Sequence, residues 1–181
     1  MENSMKMKKV IQSFHHLWLS GLILFCFVNL SVGQEKVNIS AGIGLPELIN
    51  VATKFQSKQT QFGIGIGFMP LQNESVISVT GDIYYHFAGV SQLSDRRTWY
   101  ARTGLVYLRD ETDYFIDKYI YLNARIGKDF NFTPKMGLAF DVGLIFELYN
   151  ETIRKVPPSG WDFDLEFPLL PSIGLTLFYR I

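Results

Sequence analysis

Cysteine is almost absent from this 181-residue chain: Cys26 is the only one. Phe25 precedes it, where a lipidated cysteine needs a small residue, so a lipid anchor is discounted. Beyond residue 33 there is no thiol at all, which excludes disulfides and thiolate metal sites from that region. Histidine is scarce too, with His86 the one copy beyond residue 33. Neither sign of charge dominates, since 17 Lys and Arg face 17 Asp and Glu. Without Lys6, Lys8, Lys9 and Glu2, which fall in the first 33 residues, 14 basic and 16 acidic residues remain, a net charge of −2. No basic stripe argues for nucleic acid. The one long apolar run, 17–32, is broken by Ser20, Gly21, Asn29 and Ser31. It is shorter than the roughly 20 residues of a membrane-crossing helix.

What is present begins with that run. Lys6, Lys8 and Lys9 form a basic head, the apolar run follows, and Ser31 and Gly33 put small residues at the cleavage-determining positions. This is the layout of a secretory signal peptide cleaved after Gly33. The chain then divides into a signal peptide, 1–33, and one domain, 34–181. Fifteen glycines and a 15% aromatic content favour all-β structure.

The strand signal is plainest in 136–148, MGLAFDVGLIFEL. Alternate residues separate Met136, Leu138, Phe140, Val142, Leu144, Phe146 and Leu148 from Gly137, Ala139, Asp141, Gly143, Ile145 and Glu147. One face of such a strand is wholly apolar and the other mostly small or acidic. The alternation outlasts the usual strand of about 5–6 residues and suits the roughly 9–11 of a strand tilted across a bilayer. Seven further segments carry strand character: 37–43, 48–56, 61–68, 76–87, 98–109, 118–130 and 171–181. Segment 48–56 also fits one face of a helix, so its type stays open. Loops are expected at 44–47, 69–75, 110–117 and 149–170, with turns at 57–60, 88–97 and 131–134. An even strand number lets an antiparallel sheet close on itself, and closure satisfies every backbone hydrogen bond. The expected fold is a closed, antiparallel, eight-stranded transmembrane β-barrel.

The polar face of these segments collects Lys54, Arg102, Arg125 and Arg180 with Asp82, Asp129, Asp141 and Glu147, together with His86. An eight-stranded lumen is just wide enough to be filled by side chains. Equal numbers of buried charges suggest an ion-paired network that plugs it, whereas a narrow selective pore favours one sign. Ser78, Asp82 and His86 share a strand face but stand four residues apart, about 13 Å, too far for a catalytic triad. No enzyme, cofactor or metal site is expected. Acidic loop residues Asp110, Glu111, Asp113 and Asp117 read as solvated. The longest loop offers Trp161, Asp162, Asp164 and Glu166 as a candidate surface-recognition patch, because long loops on rigid scaffolds carry function.

Together, the leader, the eight alternating segments and the closing stretch 172–181 (SIGLTLFYRI) resemble the small outer-membrane β-barrel proteins of Gram-negative bacteria. The stretches 45–50 (LPELIN) and 79–87 (VTGDIYYHF) are similar to members of that group. The resemblance implies an outer-membrane location, contact with membrane lipid and lipopolysaccharide, and a last strand read by the barrel-assembly machinery. Such strands usually end in an aromatic residue; here Tyr179 lies two before the terminal Ile181. The implied role is non-enzymatic, structural or surface-interacting. The competing class is a soluble, lipocalin-like barrel that binds a small apolar ligand, which hides its apolar face inside. A lipid A-modifying enzyme and a narrow pore rank below both.

Overall fold

A computed structural model describes residues 37–71, 74–155 and 169–181. The segment read as a signal peptide, and the patch of Trp161, Asp162, Asp164 and Glu166, lie outside the described residues. Eight strands follow one another: β1 (Val37–Leu45), β2 (Leu48–Ser57), β3 (Thr60–Leu71), β4 (Glu74–Ala88), β5 (Trp99–Thr112), β6 (Phe115–Asn131), β7 (Met136–Arg154) and β8 (Leu169–Arg180). Each pairs antiparallel with its neighbours in sequence, and β1 pairs with β8 to close the barrel. No helix occurs among the described residues. Segment 48–56 is a strand, hydrogen-bonded on both edges to β1 and β3.

The period-2 pattern positions the side chains as the sequence implies. Apolar residues stand outward and exposed: Phe62, Ile64, Ile66 and Phe68 on β3, and Phe140, Val142, Leu144 and Phe146 on β7. Ile64 is 63% exposed. The inward positions hold Asn38, Ser40, Lys54, Ser78, Asp82, Arg102, Asn123, Arg125 and Asp141, all buried.

The strands outrun their expected limits. Pairs such as Met69 with Val76 and Asp110 with Asp117 extend the ladder through stretches expected to be loops at 69–75 and 110–117. The backbone pairs there even though the side chains no longer alternate. β6 and β7, at 17 and 19 residues, project furthest at the barrel end opposite Val37 and Arg180, here called the far end, the other being the terminal end. A bulge lets Ile120 pair with Tyr149 while Tyr121 pairs with Glu147, leaving Leu148 extra. The bulge adds local twist where the projection begins.

The β1–β2 connection is the exception, because it turns inward. Gly44 pairs with Leu48, so only Leu45, Pro46 and Glu47 make the turn, with a cis peptide before Pro46. Leu48 has a positive φ of 66°. That conformation costs a non-glycine residue about 1 kcal/mol or more. Glu47 is buried inside the barrel, not exposed in a loop. The inward glycines of β3 make this possible. A Cβ on Gly67 would overlap the Glu47 carbonyl oxygen and approach Ser78 Oγ to 2.5 Å. Gly81, which faces outward, has nothing within 4 Å of such a Cβ. Gly67→Ala should therefore cost about 1–3 kcal/mol by overpacking, while Gly81→Ala is nearly silent. Urea unfolding of the two variants in detergent micelles checks this, and equal midpoints would mean that the turn does not occupy the Gly67 space.

Candidate functional site

The lumen is built from side chains that alternate strands aim at one another. Arg102 on β5 donates through Nε to Asp82 Oδ1 at 3.0 Å and through Nη2 to Asp82 Oδ2 at 2.8 Å. The same Nη2 reaches Glu47 Oε1 at 2.7 Å. Arg125 on β6 donates to Glu47 Oε2 at 2.6 Å and to Asp141 Oδ1 at 2.8 Å. Tyr100 OH completes Asp141 with a bond of 2.8 Å to Oδ2, and Asn123 Nδ2 reaches Asp82 Oδ1 at 3.3 Å. Two guanidinium groups and three carboxylates thus share one buried cluster that ties β4, β5, β6 and β7 to the β1–β2 turn. The turn backbone is bound as well. Ser78 Oγ donates to the Glu47 carbonyl at 2.9 Å, and Ser172 Oγ to the Leu45 carbonyl at 2.8 Å.

A second charged group lies nearer the end that carries the termini. Arg96 pairs with Asp129 and donates to Gln56 Oε1 at 3.0 Å. Arg180 donates to the Pro134 carbonyl at 2.8 Å, and His86 Nδ1 to the Arg97 carbonyl at 2.8 Å. Arg96 and Arg180 both lie over the Phe178 ring, at 5.3 and 4.8 Å from its centroid. Tyr84, Tyr100, Ala139 and Phe178 pack as an apolar layer between the two groups. Lys54 sits within that layer, its ammonium 4.4 Å above the Tyr84 ring. Towards the far end, Val106, Tyr121 and Ile145 form a second apolar layer with Leu108 and Tyr119. Among the described residues, two voids of about 10 Å³ both touch Lys54 and Tyr84. Each is the size of roughly one water molecule.

Lys54, Asp82, His86, Arg102, Arg125, Asp129, Asp141 and Arg180 are thus all buried in the lumen. Glu147 departs from the expected network. It is half-buried at the projecting end, where Asn150 Nδ2 donates to it at 2.7 Å. Its phase along β7 is inward, but it lies two residues beyond Ile145, outside the packed layers. Two members of the network were missed: Glu47, assigned to a turn, and Arg96, assigned to the connection 88–97. The charge count shifts from four of each sign to five buried cations (Lys54, Arg96, Arg102, Arg125, Arg180) and four carboxylates (Glu47, Asp82, Asp129, Asp141). Ser78 and His86 bond to different partners, so the structure does not assemble them into a nucleophile–base pair.

At the far rim the polar chemistry changes. Asp110, half-buried, has its carboxyl pushed up to about 6, first by desolvation, then by a hydrogen bond and charge from Glu74, then by Asp117. Two facing carboxyls can hydrogen-bond only while one keeps its proton. A raised folded pKa stabilises the protonated form. The contribution is therefore present below about 4 and is lost as pH rises through about 6.

Comparison with protein-family models, curated proteins and solved structures finds no match.

Two predictions follow from the charges. Glu47→Gln keeps the shape of the side chain but leaves Arg102 and Arg125 under-compensated, which should cost about 3–5 kcal/mol. A loss below about 1 kcal/mol in denaturant titration would be typical of an exposed pair and would contradict the buried turn. At the rim, the parent protein should lose stability relative to Asp110→Asn between pH 4 and pH 7. Unfolding midpoints across that range should diverge; parallel curves would mean that the Asp110 carboxyl is not raised in the folded barrel.

Proposed function

We propose that this barrel spans the outer membrane with its lumen closed by the ion-paired network, and serves a non-enzymatic role in structure or surface contact. The division of the two faces carries this reading. Exposed aliphatic and aromatic side chains cover the outside of the strands, while nearly all the buried charge points inward. In water that outer surface is an apolar band far larger than the few-hundred-Å² patches of soluble monomers. In a bilayer it is the matching solvent. Outward aromatics also stand near strand ends, with Tyr85, Phe87, Trp99, Phe130 and Tyr179 towards the terminal end, in keeping with an interfacial girdle.

The lipocalin-like alternative calls for an apolar cavity, and the voids here are water-sized and charge-lined. The same voids weigh against a narrow pore. The separate bonding of Ser78 and His86 weighs against a lipid A-modifying enzyme. In the membrane reading the N-terminal segment is a cleaved export signal, and β8 is what the assembly machinery reads. The β5–β7 projection and the loop with Trp161, Asp162, Asp164 and Glu166 then face the cell exterior. Lipopolysaccharide and any surface partner would be met there.

Heating supplies the first test. The membrane-fraction protein should migrate differently on a detergent gel before and after boiling, because a closed barrel resists the detergent when cold. The second test is Ile64→Arg. In a bilayer, near the midplane, it should impair folding into vesicles by about 2–4 kcal/mol. On a water-exposed strand the same change should have little effect. A soluble product with coincident bands and a tolerated Ile64→Arg would overturn the membrane reading.

A further inference from the structure

The outer face is not uniformly bulky. Over β5 and β6 it sinks into a furrow of about 560 Å³ floored by Ala101, Thr103 and Ala124 and walled by Ile83 and Tyr85 on β4 and Val142 and Leu144 on β7. Cross-strand pairing sets its length. Ala101 lies opposite Ile126 and Thr103 opposite Ala124. Leu105 opposite Leu122 closes the far end, and Trp99 opposite Lys128 closes the terminal end. The hydroxyl of Thr103 is satisfied by the Asn123 carbonyl at 3.0 Å, so the floor offers no free donor.

Lys128 is the unusual member. Among the described residues it is the one charged side chain on the outward strand positions between Lys118 and the turns of the terminal end. No carboxylate there pairs with it. Its ammonium lies 5.3 Å from the centroids of both Trp99 and Phe130, which hold it at the mouth of the furrow. We propose that the furrow and Lys128 form a binding site for one anionic glycerophospholipid, in the leaflet on the side of the chain termini. Its phosphate meets Lys128 and one acyl chain lies along Ala101, Thr103 and Ala124.

The dimensions agree with that occupant. From Trp99 to Leu105 the furrow spans six residues, about 20 Å along the strand. At a strand tilt of about 35–45° this is roughly 15 Å along the membrane normal, half of a hydrocarbon core of about 30 Å. An acyl chain of one leaflet has that reach. The site rests on the membrane reading above.

The test uses Trp99 as the reporter. In a full-length background carrying Trp18→Phe and Trp161→Phe, Trp99 is the remaining tryptophan. The protein is folded into phosphatidylcholine vesicles holding a minor fraction of either phosphatidylglycerol or phosphatidylcholine brominated near the glycerol end of the chain. Bound brominated lipid quenches the indole. Brominated phosphatidylglycerol should show about five-fold tighter apparent association than its phosphatidylcholine counterpart, the scale of one interfacial lysine charge. Lys128→Gln should abolish that preference while general quenching persists. Ala124→Leu, which fills the floor, should reduce quenching by both lipids to the level of bulk contact. Equal quenching by the two lipids in the parent, or a preference that survives Lys128→Gln, overturns the site. So does protection of Trp99 from both lipids in vesicle-bound protein that cross-links as a dimer, since a second copy then fills the furrow. Absence of quenching in protein that stays in solution marks failure of the membrane reading instead.

Discussion

Burying charge in a lumen filled by side chains is the constraint on which this barrel is organised. An isolated ion taken into a low-dielectric interior costs several kcal/mol even after relaxation. Five cations and four carboxylates are buried here, in a lumen that leaves room for little else. Arg102 and Arg125 cannot be satisfied by Asp82 and Asp141 alone, since two guanidiniums present ten donors. Glu47 supplies the third carboxylate, and it reaches the cluster only because the β1–β2 turn folds inward. That insertion in turn demands the positive φ of Leu48 and the empty side-chain position at Gly67. Gly174 obeys the same demand, because a Cβ there would stand 2.5 Å from Asp141 Oδ1 and 2.8 Å from Arg125 Nη1. Backbone strain and missing side chains on one wall are offset by ion pairs anchored on the opposite one.

The period-2 pattern makes the architecture legible in the sequence alone. Eight alternating segments in the sequence became eight strands, and the apolar set of 136–148 became the outward face of β7. Eight of the nine residues that the rule assigns to the polar face are buried, because a strand residue's phase decides its side. It failed wherever a residue enters the lumen from outside a strand. Glu47 arrives from a turn and Arg96 from the connection before β5, and alternation is silent about both. Glu147 fails differently. Its phase was right, but phase carries no information about height along the barrel, and beyond Ile145 the wall projects past the packed interior. The strands outlast the side-chain alternation for a related reason. Backbone pairing continues through 69–71, past Pro70, and through 110–112, where Asp110, Glu111 and Thr112 end the apolar alternation. One signal for Glu47 was available: glycine at Gly63, Gly65 and Gly67 empties a whole strand face, and something must fill that space.

The two faces of each wall also trade volume. β3 carries Phe62, Ile64, Ile66 and Phe68 outside and only glycine inside at Gly63, Gly65 and Gly67. β5 and β6 invert this, with Ala101, Thr103 and Ala124 outside and Tyr100, Arg102, Tyr121 and Arg125 inside. Arg102 and Arg125 reach from β5 and β6 to Glu47, whose turn fills the space left bare at Gly67 on β3. The outer furrow and the inner cluster are therefore features of the same two strands, separated by one thickness of backbone. Arg102 and Arg125 line the furrow while their side chains hold Glu47. Close-packed interiors are hardly compressible and transmit strain to neighbouring side chains. Whatever occupies the furrow consequently bears on the backbone positions from which the ion cluster hangs, and the packing of the outer face cannot be set independently of the charge network within.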